Sequence, residues 1–258
     1  MFQEFITALQ FLTRIRLVRE PACDEVSFGR SVRFFPMVGL VAGAILLLAA
    51  QLTGGWLPGT VRSTLLLTLC IFITGGLHCD GLMDTADGLF SGRSRDRMLE
   101  IMKDSRVGSF GVIAIILLLL WKWSLIQDMP DSLLGTALIS MMTLSRFSMI
   151  LAILNFPYAR AEGMGKAFSL HAGPGALWIA LLTVAALLGG IYAVMGLFIL
   201  LVAIVATVCA GGFAFWFGNW ATRKVGGLTG DLYGAVTELT ELLVLLVFIL
   251  STYVRWAR

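Results

Sequence analysis

The chain has 258 residues, of which 58% are hydrophobic and 14% charged. A soluble domain carries about 25% charged and roughly 45–50% apolar residues. With a mean hydropathy of +0.90 and a net charge of only +3, the composition excludes a soluble enzyme, a disordered chain and a nucleic-acid-binding protein. What remains is an all-α, polytopic integral membrane bundle forming one membrane domain over 1–258.

The first twenty residues, "MFQEFITALQFLTRIRLVRE", put an acid early and the basic residues after the apolar ones. That order is the reverse of a signal peptide and fits a short amphipathic helix at the membrane surface. A spanning helix needs roughly 20 mostly apolar residues. Seven stretches qualify: 35–54, 61–77, 108–126, 133–154, 175–193, 195–217 and 235–254. The fifth and sixth are parted only by a tight turn near "GGIYAVMG". The four cysteines, Cys23, Cys70, Cys79 and Cys209, show no CxxC spacing, so neither a disulfide framework nor a zinc site is expected.

Charge distribution orients the spans. With a cytoplasmic N-terminus, the inside segments are 1–34, 79–107, 155–174 and 218–230. They carry five, five, two and two Lys or Arg, against three (Arg62, Arg255, Arg258) outside. This asymmetry matches the positive-inside bias and puts every polar motif on the cytoplasmic side of the membrane. Lys122 and Arg146 fall inside spans. Arg146 must face the bundle interior and is expected to pair with Glu238 or Glu241.

Eleven of the charged residues lie between Cys79 and Val107. Asp80, Asp84 and Asp87 stand at i, i+4 and i+7, within roughly 60° of one helical face. Like charges at that spacing repel, so a positive partner is required. Mg²⁺ uses few carboxylates and keeps waters or substrate phosphates in its remaining positions. The face therefore points to Mg²⁺-dependent phosphoryl chemistry, with Asp80, Asp84 and Asp87 as metal ligands. Asp87 or Asp104 is expected to accept a proton. Gly81 and Gly88 leave room for a diphosphate or a neighbouring helix. Arg93, Lys103 and Arg106 follow as phosphate contacts, and His78 stands just before the cluster, either as a metal or phosphate contact or as a cap of the span at the interface.

Two further motifs face the same side. "YARAEGMGKAF" offers Arg160 and Lys166 on Gly-rich backbone, as phosphate or nucleotide contacts or as positive-inside anchors. It is no Walker A loop, because Ala167 stands where Ser or Thr is needed. "GGLTGDLYGA" places Asp231 just before the last span, as a ligand of a second metal, a substrate contact or a helix cap.

"GGLHCDGLMDTADGLFSG" followed by "EIMKDSRVGSFG" resembles the cobalamin synthases, the adenosylcobinamide-GDP ribazoletransferase family. "FLTRIRL", "FFPMVGLVAGA", "PYARAEGMGKAF" and "GGLTGDLYGAVTE" extend the resemblance from Phe11 to about Glu241. Cys79 replaces an expected apolar residue, and "RIRL" an expected "RIP". The resemblance implies an inner-membrane, Mg²⁺-requiring enzyme of late vitamin B12 synthesis. It would join adenosylcobinamide-GDP to α-ribazole, or its 5′-phosphate, with release of GMP.

Two rivals share the carboxylates. A CDP-alcohol phosphotransferase needs D-x-x-D-G-x-x-A-R, and here "DTADGLFSGR" gives only its first half. A cation transporter would place its carboxylates near the bilayer midplane rather than at span ends. Spans rich in Gly, Ala and Ser are also compatible with a homo-oligomer or with association with other enzymes of the same pathway.

Overall fold

The structure, a computed structural model, describes residues 1–18, 24–104 and 106–256. Arg19, Cys23 and Arg258 lie outside the described residues. The chain order is α1 (Phe2–Leu12), α2 (Glu25–Arg30), a 3₁₀ turn (Ser31–Phe34), α3 (Phe35–Thr53), α4 (Gly59–Thr74), α5 (Leu77–Leu89) and α6 (Arg95–Ile101). Then come α7 (Ser109–Asp128), α8 (Asp131–Asn155), α9 (Met164–His171), α10 (Ala176–Val225) and α11 (Gly230–Trp256). Apart from an isolated bridge between Tyr158 and Leu228, the described residues form no β-structure.

Burial ranks the helices. Of its apolar window, α8 buries 89%, against 28% for α7 and for α10. The bundle is therefore built around α8, with α7 and α10 turned outward. Helices in lipid gain little from hydrophobic exclusion and rely on close backbone packing. The G-x-x-x-G of α3 supplies it: a Cβ on Gly39 would lie 2.3 Å from the Met142 carbonyl oxygen, and one on Gly43 2.7 Å from Ile139 Cα.

Among the described residues, five helices are long and apolar enough to cross a membrane, or six when α4 and α5 count as one broken span. The seven stretches expected from sequence are recovered only when α10 is divided and α4, with 16 residues, is counted alone. The division of α10 is physical. Its 50 residues would run about 75 Å if straight, far beyond the ~30 Å bilayer core. Gly196, at φ 78° and ψ −175°, breaks it. Near its first end Arg33 approaches Gly173, and at its last end Arg95 donates to the Val225 carbonyl. Both ends therefore sit at the motif end, and the chain doubles back at Gly196.

The four polar segments meet at that end. The backbone N–H of Arg14 donates to the Ile73 carbonyl at 2.7 Å. Arg95 bridges the Val225 and Ala159 carbonyls, and Leu228 pairs with Pro157 and Ala159. An aromatic cluster of Phe11, Phe28, Phe35 and Phe168 ties α1, α2, α3 and α9 together. The expected N-terminal amphipathic helix is α1, with Ile6, Ala8, Leu9 and Leu12 buried.

Candidate functional site

The site is set by a bend. After Thr74 the chain passes through Gly75 and Gly76, both at positive φ, and α5 leaves α4 at 87°. α5 thus runs across the end of the bundle. Its aspartates lie at that end rather than along a span. Gly81 lets α5 meet α11 backbone to backbone, since a Cβ there would come within 2.8 Å of the Asp231 carbonyl oxygen. Gly234 answers from α11, 3.1 Å from the His78 carbonyl by the same measure. The two glycines bring the start of α11 against the aspartate face.

The three aspartates grade from exposed to buried: Asp80 is exposed, Asp84 half-buried and Asp87 buried. Asp87 departs from its expected role as ligand or base. Its Oδ2 accepts from the Gly108 N–H at 2.7 Å and its Oδ1 from the Gly111 N–H at 2.9 Å. It therefore holds the N-terminus of α7, where a helix favours an anion. The glycines of "VGSFG" make room for it, because a Cβ on Gly108 or Gly111 would strike its carboxylate at 2.4 or 2.5 Å.

Asp84 behaves differently. Partial burial, then the carboxylates of Asp80 and Asp231, push its carboxyl up to about 7, with Arg160 pulling the other way. Asp231 receives Arg160 Nη2 at 2.7 Å and the Thr229 hydroxyl at 3.2 Å. The capping role goes to Thr229, whose Oγ1 accepts from the Leu232 N–H at 3.3 Å. No three His, Cys, Asp or Glu side chains form a preformed metal cage among the described residues. The donor set of Asp80 and Asp84 beside Asp231 still fits Mg²⁺, which needs one or two carboxylates and completes its shell with water and phosphate.

The other expected contacts divide. Arg160 sits at the centre, and Lys103 lines an open pocket of about 610 Å³ beside it. Lys166 bonds the Ala161 carbonyl and closes its own loop. Arg93 is exposed and lines none of the site's pockets. Arg106 binds Asp104 at 3.4 Å. Asp104 is exposed, and the Arg106 N–H holds its carboxyl below the usual carboxylate range, which makes it a poor proton acceptor at neutral pH. Glu100 pairs with Arg97 at 2.8 Å. Arg14 and Arg16 were not singled out by sequence. With Asp80 they line a pocket of about 670 Å³ between α1 and the α4–α5 bend. The signal lay in "FLTRIRL", whose two arginines follow an amphipathic run.

His78 is a correction. It is 1% exposed and faces inward, with Arg146 Nη2 3.3 Å from its Nδ1. It belongs to an ionic core where Arg146 binds Glu241, and Lys122 binds both Glu238 and Glu241. Two cations balance two carboxylates there, as buried charge in a membrane requires. The pairing of Arg146 follows expectation, while the part played by Lys122 does not follow from spacing. Cys79 donates its thiol to Glu238 at 3.4 Å, on the rim of this network.

The family described as cobalamin-5-phosphate synthase matches residues 4–249. A protein of Desulfitobacterium hafniense named adenosylcobinamide-GDP ribazoletransferase is 41% identical over 242 residues, covering 93% of each chain. Same-named proteins of Herpetosiphon aurantiacus, 40% identical over 96% of each chain, and of a Roseiflexus species, 37% identical over 96% of this chain and 90% of its own, are similar to it as well. No solved structure matches. With a match over nearly its whole length, the chain belongs to the cobalamin-5-phosphate synthase family.

Proposed function

We propose that the chain joins adenosylcobinamide-GDP to α-ribazole, or its 5′-phosphate, and releases GMP. One observation carries the reading: an acidic face, Asp80 and Asp84 with Asp231, lies at the bundle end among open pockets of about 670 and 610 Å³. Two large polar substrates need that room. The ribose 3′-hydroxyl oxygen of ribazole forms a bond to the phosphorus that carries cobinamide. The P–O bond to GMP breaks, and the hydroxyl proton is released.

Such transfers draw most of their acceleration from positioning and charge neutralisation. Arg14 and Arg16 on one side, and Lys103 on the other, are placed for phosphate oxygens. Arg160 fixes Asp231 and keeps a positive charge beside the acids. Asp80 and Asp84 would hold Mg²⁺, which supplies further neutralisation of the diphosphate. The motif end faces the cytoplasm of the inner membrane, a placement supported by its excess of Lys and Arg. The test is GMP release by purified protein with both substrates. It is expected with Mg²⁺ and lost on chelation. A lack of GMP at any Mg²⁺ concentration would overturn the reading.

A further inference from the structure

Beside the acidic face a cavity of about 160 Å³ runs between α5, α9 and α11. Its apolar lining includes Phe11, Phe168, Met149 and Met164, and its polar lining is His78, Tyr233, Asp80 and Asp231. Tyr233 is 0% exposed and its hydroxyl has no partner. His78 Nε2 is likewise buried and unpartnered. The tautomer follows from the neighbour. Arg146 can only donate, so His78 Nδ1 accepts and Nε2 carries the hydrogen. Two residues with buried, unpartnered donors thus line one cavity, with Asp80 and Asp231 towards the acidic face. Buried polar groups are normally satisfied, so an acceptor is missing from it.

The cavity shares Phe11, Leu77, Asp80 and Met164 with the 670 Å³ pocket that holds Arg14 and Arg16. A cavity of about 150 Å³ accommodates a benzene ring. This one, continuing into a larger pocket, has space for a fused bicyclic ring.

We propose that this cavity seats the aromatic base of the acceptor nucleoside, through the buried His78 and Tyr233 donors and the Phe and Met walls. This rests on the ribazole reading. The base of ribazole is a dimethylbenzimidazole: uncharged, apolar at its methyl edge, with one ring nitrogen that only accepts. The aromatic and thioether walls take the ring and its methyls. A donor from the floor takes the nitrogen. The ribose then emerges past Asp80, which puts its hydroxyls at the acidic face.

The experiment uses the full-length protein in detergent with Mg²⁺, and two acceptors: ribazole and its 3-deaza analogue, in which a C–H replaces the ring nitrogen. Wild type is expected to prefer ribazole by about tenfold in kcat/KM. Tyr233→Phe is expected to raise the KM for ribazole severalfold and to narrow that preference, with the KM for adenosylcobinamide-GDP unchanged. Met149→Phe, which fills the cavity, is expected to weaken ribazole while direct binding of adenosylcobinamide-GDP persists, showing a folded protein. Equal use of the two acceptors by wild type, or an unchanged preference in Tyr233→Phe, overturns the assignment and leaves a water as the occupant. A wild type that ignores ribazole altogether overturns the functional reading itself, and this proposal with it.

Discussion

Asp84 and Asp87 are three residues apart on one helix, yet they answer to different surroundings. Asp87 accepts two backbone N–H groups and has little freedom to do anything else. Removing it strands both donors at a buried helix start. Asp87→Ala is therefore expected to lower stability by about 1–3 kcal/mol. Thermal unfolding in detergent would show this, and unchanged stability with lost Mg²⁺ binding would return Asp87 to the ligand set. Asp84 has no such donors and two acidic neighbours, so its proton is held more tightly than usual, up to about pH 7. A cation must displace that proton. Mg²⁺ affinity should therefore rise by about tenfold per pH unit below 7 and level off above it. Calorimetric titration between pH 5.5 and 8.5 measures the slope, and a flat profile would remove Asp84 from the site. The i, i+4, i+7 spacing made this acidic face legible from sequence. It could not separate the three acids, because what distinguishes Asp87 is two glycines 21 and 24 positions downstream on another helix.

At the scale of elements, the site depends on α5 crossing α11 at close range. Gly81→Ala places a methyl 2.8 Å from a backbone carbonyl that cannot swing aside. The helices must part, moving Asp80 and Asp84 relative to Asp231 and Arg160. Turnover should fall by more than about tenfold, since small displacements of positioned groups are costly. Gly212→Ala, with open space around its Cβ, is the control and should leave turnover unchanged. Equal effects would show that the α5–α11 approach does not matter. Hydrophobic runs disclosed the long helices but not this crossing. The sequence reading allowed Gly81 and Gly88 to admit either a diphosphate or a helix. The structure assigns Gly81 to α11, and Gly88 to the end of α6, where a Cβ would meet Met102, the residue just past that helix, at 2.5 Å. Arg146 was legible as an inward charge because lipid admits no other place for it. Lys122, one helix away, required the tertiary fold to find Glu238 and Glu241.

For the whole molecule, the low charge content is an average over two regimes: apolar helices, and one end where polar segments from four parts of the chain converge. The 50-residue α10 bears out the tight turn expected near "GGIYAVMG". Its composition is continuous, and only Gly196, in a backbone conformation that favours glycine, turns it back. Segments 79–107 and 155–174 must then lie on one side of the membrane, and the α3–α4 turn on the other. In a cysteine-depleted background, Arg93→Cys and Glu162→Cys should resist a membrane-impermeant maleimide in intact cells, while Thr60→Cys should react. Labelling of all three from outside would refute the topology. The functional reading requires that Asp80 and Asp84, unlike Asp87, do chemistry rather than hold the fold. Its most direct test is the turnover of Asp84→Asn at saturating Mg²⁺ and saturating substrates, beside its melting temperature. A loss of about a hundredfold or more in GMP release, with melting unchanged, is predicted. Near-normal turnover would contradict it.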